Sequence, residues 1–207
     1  MSTRATTAGT DATAPRRGRL ARHVVLIGMM GAGKSAVGRR LAARLGVPFV
    51  DSDAEIEAAA GMTIPEIFAA HGEAFFRDRE AAVIARLLEG APAVIATGGG
   101  AWLDPRTRAR IAERGVAVWL DAPLEVLWSR VSRKRTRPLL HTPDPRGTLE
   151  RLLAERRPVY ALAPVRVPSS DARSVAEMAA AVEAALPPGV VIAGPEPDGP
   201  GREGESG

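Results

Sequence analysis

The sequence contains no cysteine among its 207 residues, which excludes disulfide bonds and metal sites built on thiolates. No stretch approaches the roughly 18 consecutive apolar residues of a membrane-spanning helix, so we expect no membrane partner and a cytoplasmic location. Lysine is also scarce, because only two of the 28 basic residues are lysines, Lys34 and Lys134. Hydrophobic residues nevertheless make up 45% of the chain, which is enough for an ordinary globular core.

The positive charge of the chain is not distributed like a nucleic-acid footprint. The formal net charge is +4, but residues 1–22 hold five arginines against Asp11, and residues 187–207 hold four acids against Arg202. The residues between these two segments therefore carry a net charge of +3. Arginines in a cleft that binds anionic substrates account for a charge of that size. We expect small-molecule substrates and no polynucleotide partner.

Both ends of the chain lack the apolar periodicity of a folded segment. Residues 1–22 are rich in Thr, Ala and Arg, and residues 187–207 are dense in Pro and Gly, so neither can bury enough apolar surface to offset its ordering entropy. We predict disordered tails at 1–22 and 187–207 around one folded domain at 23–186. The first tail also has the composition of an organellar transit peptide, but the lack of an amphipathic face favours a flexible tail.

Short apolar runs alternate with helical patterns between the two tails. The predicted strands are residues 24–27, 47–50, 93–96, 116–120 and 165–167. The predicted helices are residues 34–45, 53–60, 64–70, 74–89, 105–114, 123–134, 147–161 and 174–186. This alternation predicts an α/β fold in which a parallel sheet is covered by helices on both faces. Ligands of such sheets bind at the carboxyl ends of the strands.

The segment GMMGAGKS at residues 28–35 has the form of a complete phosphate-binding loop. It follows the first predicted strand and leads into a helix, which is the context that lets successive backbone N–H groups face an anion. We expect the ammonium of Lys34 to reach the β- and γ-phosphates of a nucleotide and the hydroxyl of Ser35 to hold Mg²⁺. The expected nucleotide contacts in this loop are Gly31, Ala32, Gly33, Lys34, Ser35 and Ala36.

Two more strand ends carry residues suited to a reaction at the phosphate loop. The second predicted strand is followed by Asp51 and Asp53, and the third by TGGG at residues 97–100. A carboxylate near Ser35 suits a hydrated Mg²⁺, and we choose Asp51 for it, while Asp53 suits hydrogen bonds from an acceptor hydroxyl. Each aspartate has the alternative role of a helix N-cap. Three glycines after a buried strand indicate that a small ligand approaches the backbone closely.

Two arginine sites and one basic run complete the set of candidate residues. Arg77 and Glu80 lie three residues apart, so that Glu80 can orient the guanidinium on one helical face. Residues 156–160, RRPVY, place further arginines near a helix end, and an arginine fork binds a carboxylate through two parallel hydrogen bonds. The basic run at residues 130–140 is typical of a solvated face or, in a phosphoryl-transfer enzyme, of a lid that closes over ATP.

Together these motifs resemble the shikimate kinase family. The segments that carry the resemblance are GMMGAGKS at 28–35, DSD at 51–53, FRDRE at 76–80, TGGGA at 97–101, RPLL at 137–140 and RRPVY at 156–160. The resemblance covers about residues 23–186 and implies a nucleoside-monophosphate-kinase-like fold with a five-stranded parallel sheet. It also implies an acceptor-binding region at 53–80 and a lid at 131–146. The implied reaction converts MgATP and shikimate to ADP and shikimate 3-phosphate, on the way to the aromatic amino acids.

The resemblance also implies roles for single residues. The implied catalytic residues are Lys34, Asp53 and Arg137, and the implied holders of Mg²⁺ are Ser35 and, through a bound water, Asp51. The ATP contacts that it adds to the phosphate loop are Arg130, Arg137 and Arg173. The implied shikimate contacts are Asp53, Arg77, Gly98, Gly99, Gly100 and Arg156, of which the two arginines hold the carboxylate. Phe68 and Phe76 give the ring an apolar wall, although an ordinary core position is equally consistent.

Three departures from the family's pattern and two alternative functions stand beside this interpretation. Ala36 replaces a common Thr, Trp102 replaces a smaller residue without an evident role, and the adenine loop at 169–173 aligns in either of two registers. The alternatives are a related kinase that acts on gluconate or a nucleoside monophosphate, and an ATP-binding regulator without activity. The presence of Lys34 and Asp53 argues against the regulator. We expect an active, monomeric enzyme.

Overall fold

The computed structural model describes residues 18–132 and 142–193 of the chain. Its strands are β1 (Gly18–Leu20), β2 (His23–Ile27), β3 (Phe49–Asp51), β4 (Val94–Ala96), β5 (Gly115–Asp121), β6 (Val165–Pro168) and β7 (Val191–Ala193). Its helices are α1 (Lys34–Leu45), α2 (Ser52–Ala60), α3 (Ile64–Glu89), α4 (Pro105–Arg114), α5 (Leu124–Val131), α6 (Pro145–Tyr160) and α7 (Val175–Ala185), with a short 3₁₀ helix at Ala101–Leu103. Each predicted strand is present as one of β2 to β6.

The central sheet has five strands in the order β3-β4-β2-β5-β6, and every neighbouring pair is parallel. Strands β2, β4 and β5 are buried at every residue, which requires cover on both faces of the sheet. Continuous apolar runs such as residues 24–27 are the sequence pattern of strands in that position. The predicted α/β class with a five-stranded parallel sheet is therefore confirmed.

The register of the sheet brings the predicted motifs to one edge. Asp51 pairs with Ala96, and Ala96 pairs with Leu26, so β3, β4 and β2 end almost level with one another. The phosphate loop, the DSD segment and the triple glycine each follow one of these three ends. His23 closes the opposite end of β2, where its buried Nδ1 accepts a hydrogen bond of 3.2 Å from the backbone N–H of Ala93.

The two predicted tails are wrong where they meet the domain. Strand β1 pairs antiparallel with β7, with Leu20 opposite Val191, and the backbone N–H of Ala21 donates to the carbonyl of Val190 at 3.0 Å. The side chains of Leu20 and Val190 are buried in the main core. Local composition does not reveal a strand whose partner lies about 170 residues away along the chain. Residues 1–17 and 194–207 of the predicted tails lie outside the described residues.

The predicted helices at 64–70 and 74–89 are two helical segments that meet at a kink within α3. Helix α3 runs through both, and its only non-helical residue is Gly72, with φ of 78°, in the gap between the two predictions. The predicted lid at 131–146 is bounded by helices, because α5 ends at Val131 and α6 begins at Pro145; residues 133–141 lie outside the described part of the chain. Within that part, no helix combines the length and apolarity that a membrane crossing needs.

Candidate active site

The phosphate loop joins β2 to α1 through glycines in left-handed conformations. Gly33, with φ of 93°, caps the N-terminus of α1, which begins at Lys34. Gly31, with φ of 83°, packs so closely against α5 that an added Cβ would lie 2.7 Å from Cγ1 of Val131 and 3.1 Å from the carbonyl oxygen of Leu127. A side chain at this position would be strained and would clash. The loop is therefore held as a concave backbone surface at a helix N-terminus, which suits an anion.

Lys34 extends back over this loop. Its side chain is buried, and Nζ donates to the backbone carbonyls of Gly28 at 2.8 Å and Met29 at 3.0 Å. The ammonium thus lies at the loop that the sequence assigns to phosphates. A lysine ammonium is a compact point charge with three donors, which is suited to phosphate oxygens.

Arg130 lies on the other side of the phosphate loop. Its Nη1 donates to the carbonyl of Gly31 at 3.3 Å, and its Nη2 forms an ion pair with Asp171 at 3.0 Å. It therefore links the phosphate loop to the loop at 169–173, where the exposed Arg173 donates to the carbonyl of Pro168 at 3.3 Å. The predicted lid arginine, Arg137, lies outside the described residues.

The three side chains of the DSD segment make different contacts. Asp51 is the N-cap of α2, since its Oδ1 accepts from the backbone N–H of Asp53 at 3.2 Å. The buried hydroxyl of Ser52 accepts from the backbone N–H of Gly98 at 3.3 Å, a role that sequence patterns did not indicate. The Oδ1 atom of Asp53 lies 2.9 Å from the position of a Cβ added at Gly98. The first turn of α2 and the triple-glycine turn are therefore in direct contact.

Arg77 is held by two carboxylates of its own helix. Its Nη1 donates to Oε2 of Glu80 at 2.7 Å, and its Nε and Nη2 donate to Oε1 of Glu73 at 3.2 and 2.9 Å. Its guanidinium also lies against Gly100, where an added Cβ would be 2.5 Å from Cζ. This confirms the prediction that Glu80 orients the guanidinium, and it places Arg77 at the triple-glycine turn.

Arg156 reaches the same turn from α6. It is only 8% exposed, and its Nη1 lies 3.9 Å from the position of a Cβ added at Gly99. Tyr160, one helical turn later, is fully buried and donates from its hydroxyl to the carbonyl of Gly99 at 2.5 Å. The neighbouring Arg157 points elsewhere and pairs with Asp121 at 3.0 Å. Of the two adjacent arginines, only Arg156 lies at the turn.

The charges around the triple-glycine turn affect one another strongly. Burial alone would lower the pKa of Arg77, but the carboxylates of Glu80 and Glu73 outweigh it and raise the pKa of this guanidinium. Burial raises the pKa of Glu80 above its ordinary value, an effect that Arg77 opposes and that the nearby Asp53 increases. Oε1 of Glu80 is buried, and none of the residues that the structure describes supplies a hydrogen-bond partner for it. Glu80 is thus held in a site that disfavours its charge.

The Glu80→Gln variant is expected to gain stability relative to the wild type as the pH rises. Because the pKa of Glu80 is raised on folding, its contribution to the free energy of unfolding is fully present below the ordinary value of 4.5 and is lost as the pH rises through the folded-state pKa. The gain is at most about 1.4 kcal/mol for each pH unit in that window. Urea unfolding of both proteins from about pH 4.5 to about pH 8 measures it.

The matched control for this prediction is Glu73→Gln. This variant removes the other carboxylate that holds Arg77, but Glu73 has a side chain that is 52% exposed, whereas that of Glu80 is 2% exposed. The control therefore removes a carboxylate from Arg77 without removing a buried one, and the two variants are compared over the same pH range. A Glu80→Gln difference that shrinks as the pH rises would contradict the expectation.

Phe68 and Phe76 belong to a small apolar cluster between α2 and α3. Their ring centroids lie 4.8 Å apart, and Phe76 packs with Ile56 and Ile67 between α2 and α3. The guanidinium of Arg77 lies 5.1 Å from the centroid of the Phe76 ring. Phe76 therefore has a core position and Phe68 is partly buried against it, while their role as an apolar wall for the acceptor ring stays a prediction. Among the described residues, no three His, Cys, Asp or Glu side chains group in a way that could hold a metal ion.

The fold and the phosphate loop together define a class of protein. A glycine-rich anion loop between the central strand of a parallel five-stranded sheet and the following helix is characteristic of P-loop phosphotransferases of the nucleoside-monophosphate-kinase type. The second group of residues lies around the triple-glycine turn, which adjoins the phosphate loop at Gly99.

Comparison with known proteins identifies the family within this class. The family model described as shikimate kinase matches residues 30–187. The shikimate kinase of Ruegeria pomeroyi is 62% identical over 167 residues, which cover 81% of this chain and 86% of the relative. That of Bradyrhizobium diazoefficiens is 62% identical over 151 residues, which cover 73% of each chain.

A solved structure agrees with these relatives. Shikimate kinase from Acinetobacter baumannii in complex with shikimate matches with a TM-score of 0.76 and 39% identity, covering 78% of this chain and 90% of that one. The chain belongs to the shikimate kinase family, which confirms the resemblance of its motifs.

Proposed function

We propose that the chain transfers the γ-phosphoryl group of ATP to the 3-hydroxyl of shikimate, giving shikimate 3-phosphate and ADP. The position of Gly99 carries the proposal. A Cβ added there would lie 3.4 Å from the backbone nitrogen of Met30 in the phosphate loop and 3.9 Å from Nη1 of Arg156. The phosphate loop and Arg156, the proposed partner of the acceptor carboxylate, therefore both approach Gly99. Arg77 approaches the next residue, Gly100.

In the proposed nucleotide half, the backbone of residues 31–36 and Lys34 bind the phosphates. Lys34 and Arg130 supply positive charge beside the transferred group. The transition state of phosphoryl transfer is loose and gains most from positioning and charge neutralisation. Arg137 completes this set in the proposal as a lid arginine, and Arg173 contacts the adenine.

Mg²⁺ is the proposed cofactor, and the residues at its site fit it. The hydroxyl of Ser35 at the start of α1 and the carboxylate of Asp51 at the end of β3 are hard oxygen donors. Mg²⁺ that accompanies a nucleotide takes one or two protein ligands and completes its shell with phosphates and water. When bound, the ion neutralises charge on the β- and γ-phosphates.

In the proposed acceptor half, each residue has one task. Asp53 accepts the proton of the 3-hydroxyl while the hydroxyl oxygen bonds to the γ-phosphorus and the bond from that phosphorus to the bridging oxygen of ADP breaks. Arg77 and Arg156 hold the carboxylate of shikimate. The glycines at 98–100 let the ring lie against the backbone. A neutral polyol would not need two guanidinium groups at this turn, whereas a polyol that carries a carboxylate does.

The proposal is tested by offering three acceptors separately to the purified protein with MgATP. ADP release is followed by a coupled assay, and the phosphorylated product is identified by ³¹P NMR. We expect turnover with shikimate well above the rate without acceptor, and little with gluconate or AMP. Folded protein that turns over gluconate or AMP faster than shikimate, or none of the three, would refute the proposal. The expectations of a monomer and of a cytoplasmic location stay predictions.

A further inference from the structure

The end of α6, just beyond Arg156, has a proline where a helix normally has a backbone hydrogen-bond donor. Pro158 lies inside this helix, two residues after Arg156. Because proline has no backbone N–H, the carbonyl of Ala154 loses its helical donor, and the pyrrolidine ring disfavours a regular turn. Contacts with the rest of the protein therefore add to the backbone bonds that orient the end of α6.

Two aromatic side chains supply such contacts, and both join the end of α6 to the triple-glycine turn. The hydroxyl of Tyr160 donates to the carbonyl of Gly99 at 2.5 Å. In the opposite direction, the indole N–H of Trp102 donates to the carbonyl of Val159 at 2.9 Å. Trp102 follows the three glycines after a single alanine, so both bonds connect the same two segments.

Trp102 is itself fixed at its backbone. Its carbonyl accepts from Nη1 of Arg108 at 2.9 Å, and the same nitrogen donates to the carbonyl of Leu103. Its side chain is buried in the main core. The indole therefore projects from a fixed base on the 3₁₀ helix, and its N–H reaches the turn of α6 that contains Pro158, at a carbonyl that also accepts from the backbone N–H of Leu162 at 3.1 Å. A buried indole N–H usually has an acceptor, and here that acceptor lies three residues beyond Arg156.

We infer that Trp102 is a positioning residue for the acceptor site, which acts by holding the end of α6 so that Arg156 faces the triple-glycine turn. The inference rests on the proposed function, in which Arg156 binds the carboxylate of shikimate. Trp102 departs from the family's pattern, and the inference gives this residue a role. The indole N–H, rather than the bulk of the ring alone, is the group that performs this role.

The first test is the Trp102→Phe variant, which keeps an aromatic ring and removes the N–H donor. Losing one hydrogen bond of this kind should raise the KM for shikimate roughly two- to ten-fold, while the KM for ATP and kcat stay within about two-fold. The control is Trp128→Phe on α5, which should leave both KM values unchanged. Equal increases in the two KM values, or no increase for shikimate, would overturn the inference.

A purely structural role for Trp102 predicts a different result. A loosened core lowers Tm and the active fraction of the protein, and hence the apparent kcat, without a selective change in the KM for shikimate.

Site-specific replacement of Trp102 by β-(3-benzothienyl)alanine keeps the shape of the indole and removes only the N–H. We expect this protein to keep its Tm and to show the same rise in KM for shikimate. A wild-type KM would overturn the inference, even if Trp102→Phe failed to fold.

The route through Arg156 has its own test. In an Arg156→Ala background, Trp102→Phe should have no further effect on kcat/KM for shikimate, because the group that Trp102 positions is gone. If Trp102→Phe lowers kcat/KM by the same factor in both backgrounds, Trp102 does not act through Arg156. The wild-type protein is assayed with shikimate first. Its failure to turn over would refute the proposed function, whereas wild-type turnover with unaffected variants would refute only the inference.

Discussion

The Asp53→Asn variant is expected to lose about 10²–10⁴ in kcat, because asparagine keeps the size and polarity of the side chain but cannot accept the proton of the attacking hydroxyl. Oδ1 of Asp53 lies 2.9 Å from the position of a Cβ added at Gly98, and the proposed mechanism assigns the base to this side chain. Its charge also acts on Glu80, so Asp53 belongs to the same electrostatic cluster as Arg77. The measurement is ADP release at saturating ATP and shikimate, with the KM for ATP as a second readout.

The matched control is Asp51→Asn, two residues earlier. Asn caps helices about as well as Asp, so α2 keeps its N-cap and the fold stays intact. In the proposed mechanism this variant weakens only the outer ligand of Mg²⁺ and should respond to added Mg²⁺, whereas Asp53→Asn should not. If Asp53→Asn keeps kcat within about ten-fold of the wild type, Asp53 is not the base.

The fold could be predicted because its pattern is local. A strand buried on both faces has to be apolar at every position, and residues 24–27 and 116–120 are apolar throughout. The number of strands and their order along the chain could therefore be predicted. The kink at Gly72 lies in the gap between two predicted helices, because the interruption of the helical pattern is also a local feature of the sequence. The β1–β7 pair was missed because neither segment has a pattern that stands out without its distant partner.

In the candidate site, too, contacts between residues close in the sequence could be predicted and contacts between distant residues could not. The phosphate loop and the Arg77–Glu80 pair could be predicted since the interacting residues lie within a few positions of one another. Ser52 and Trp102 could not, because their partners, Gly98 and Val159, lie 46 and 57 residues away. Such contacts depend on the tertiary structure. What local patterns indicate is which groups carry charge; what the fold adds is how those groups are held.

The Arg77→Ala variant is expected to lose shikimate binding and to keep nucleotide binding. Two charge-assisted hydrogen bonds at about 1.5–3 kcal/mol each correspond to a loss of roughly 10²–10⁴ in kcat/KM for shikimate. The affinity for an ATP analogue, measured by calorimetry, should change little, because the phosphate loop leads into α1 and packs against α5, whereas Arg77 lies on α3. Arg77→Lys should recover little, since an ammonium lacks the planar fork of a guanidinium.

Two further variants separate this role of Arg77 from its place in the fold. Arg77→Ala leaves the carboxylate of Glu80 buried without its nearest cation, which by itself destabilises a protein. The double variant Arg77→Ala/Glu80→Gln removes that charge as well and should bind shikimate as poorly while melting closer to the wild type. Arg79→Ala is the matched control, because Arg79 lies on the same helix but over the ring of Phe75, at 4.8 Å, and should leave shikimate binding unchanged. If affinity for the ATP analogue falls while shikimate still binds, Arg77 belongs to the nucleotide half, and the proposed division of the site is wrong.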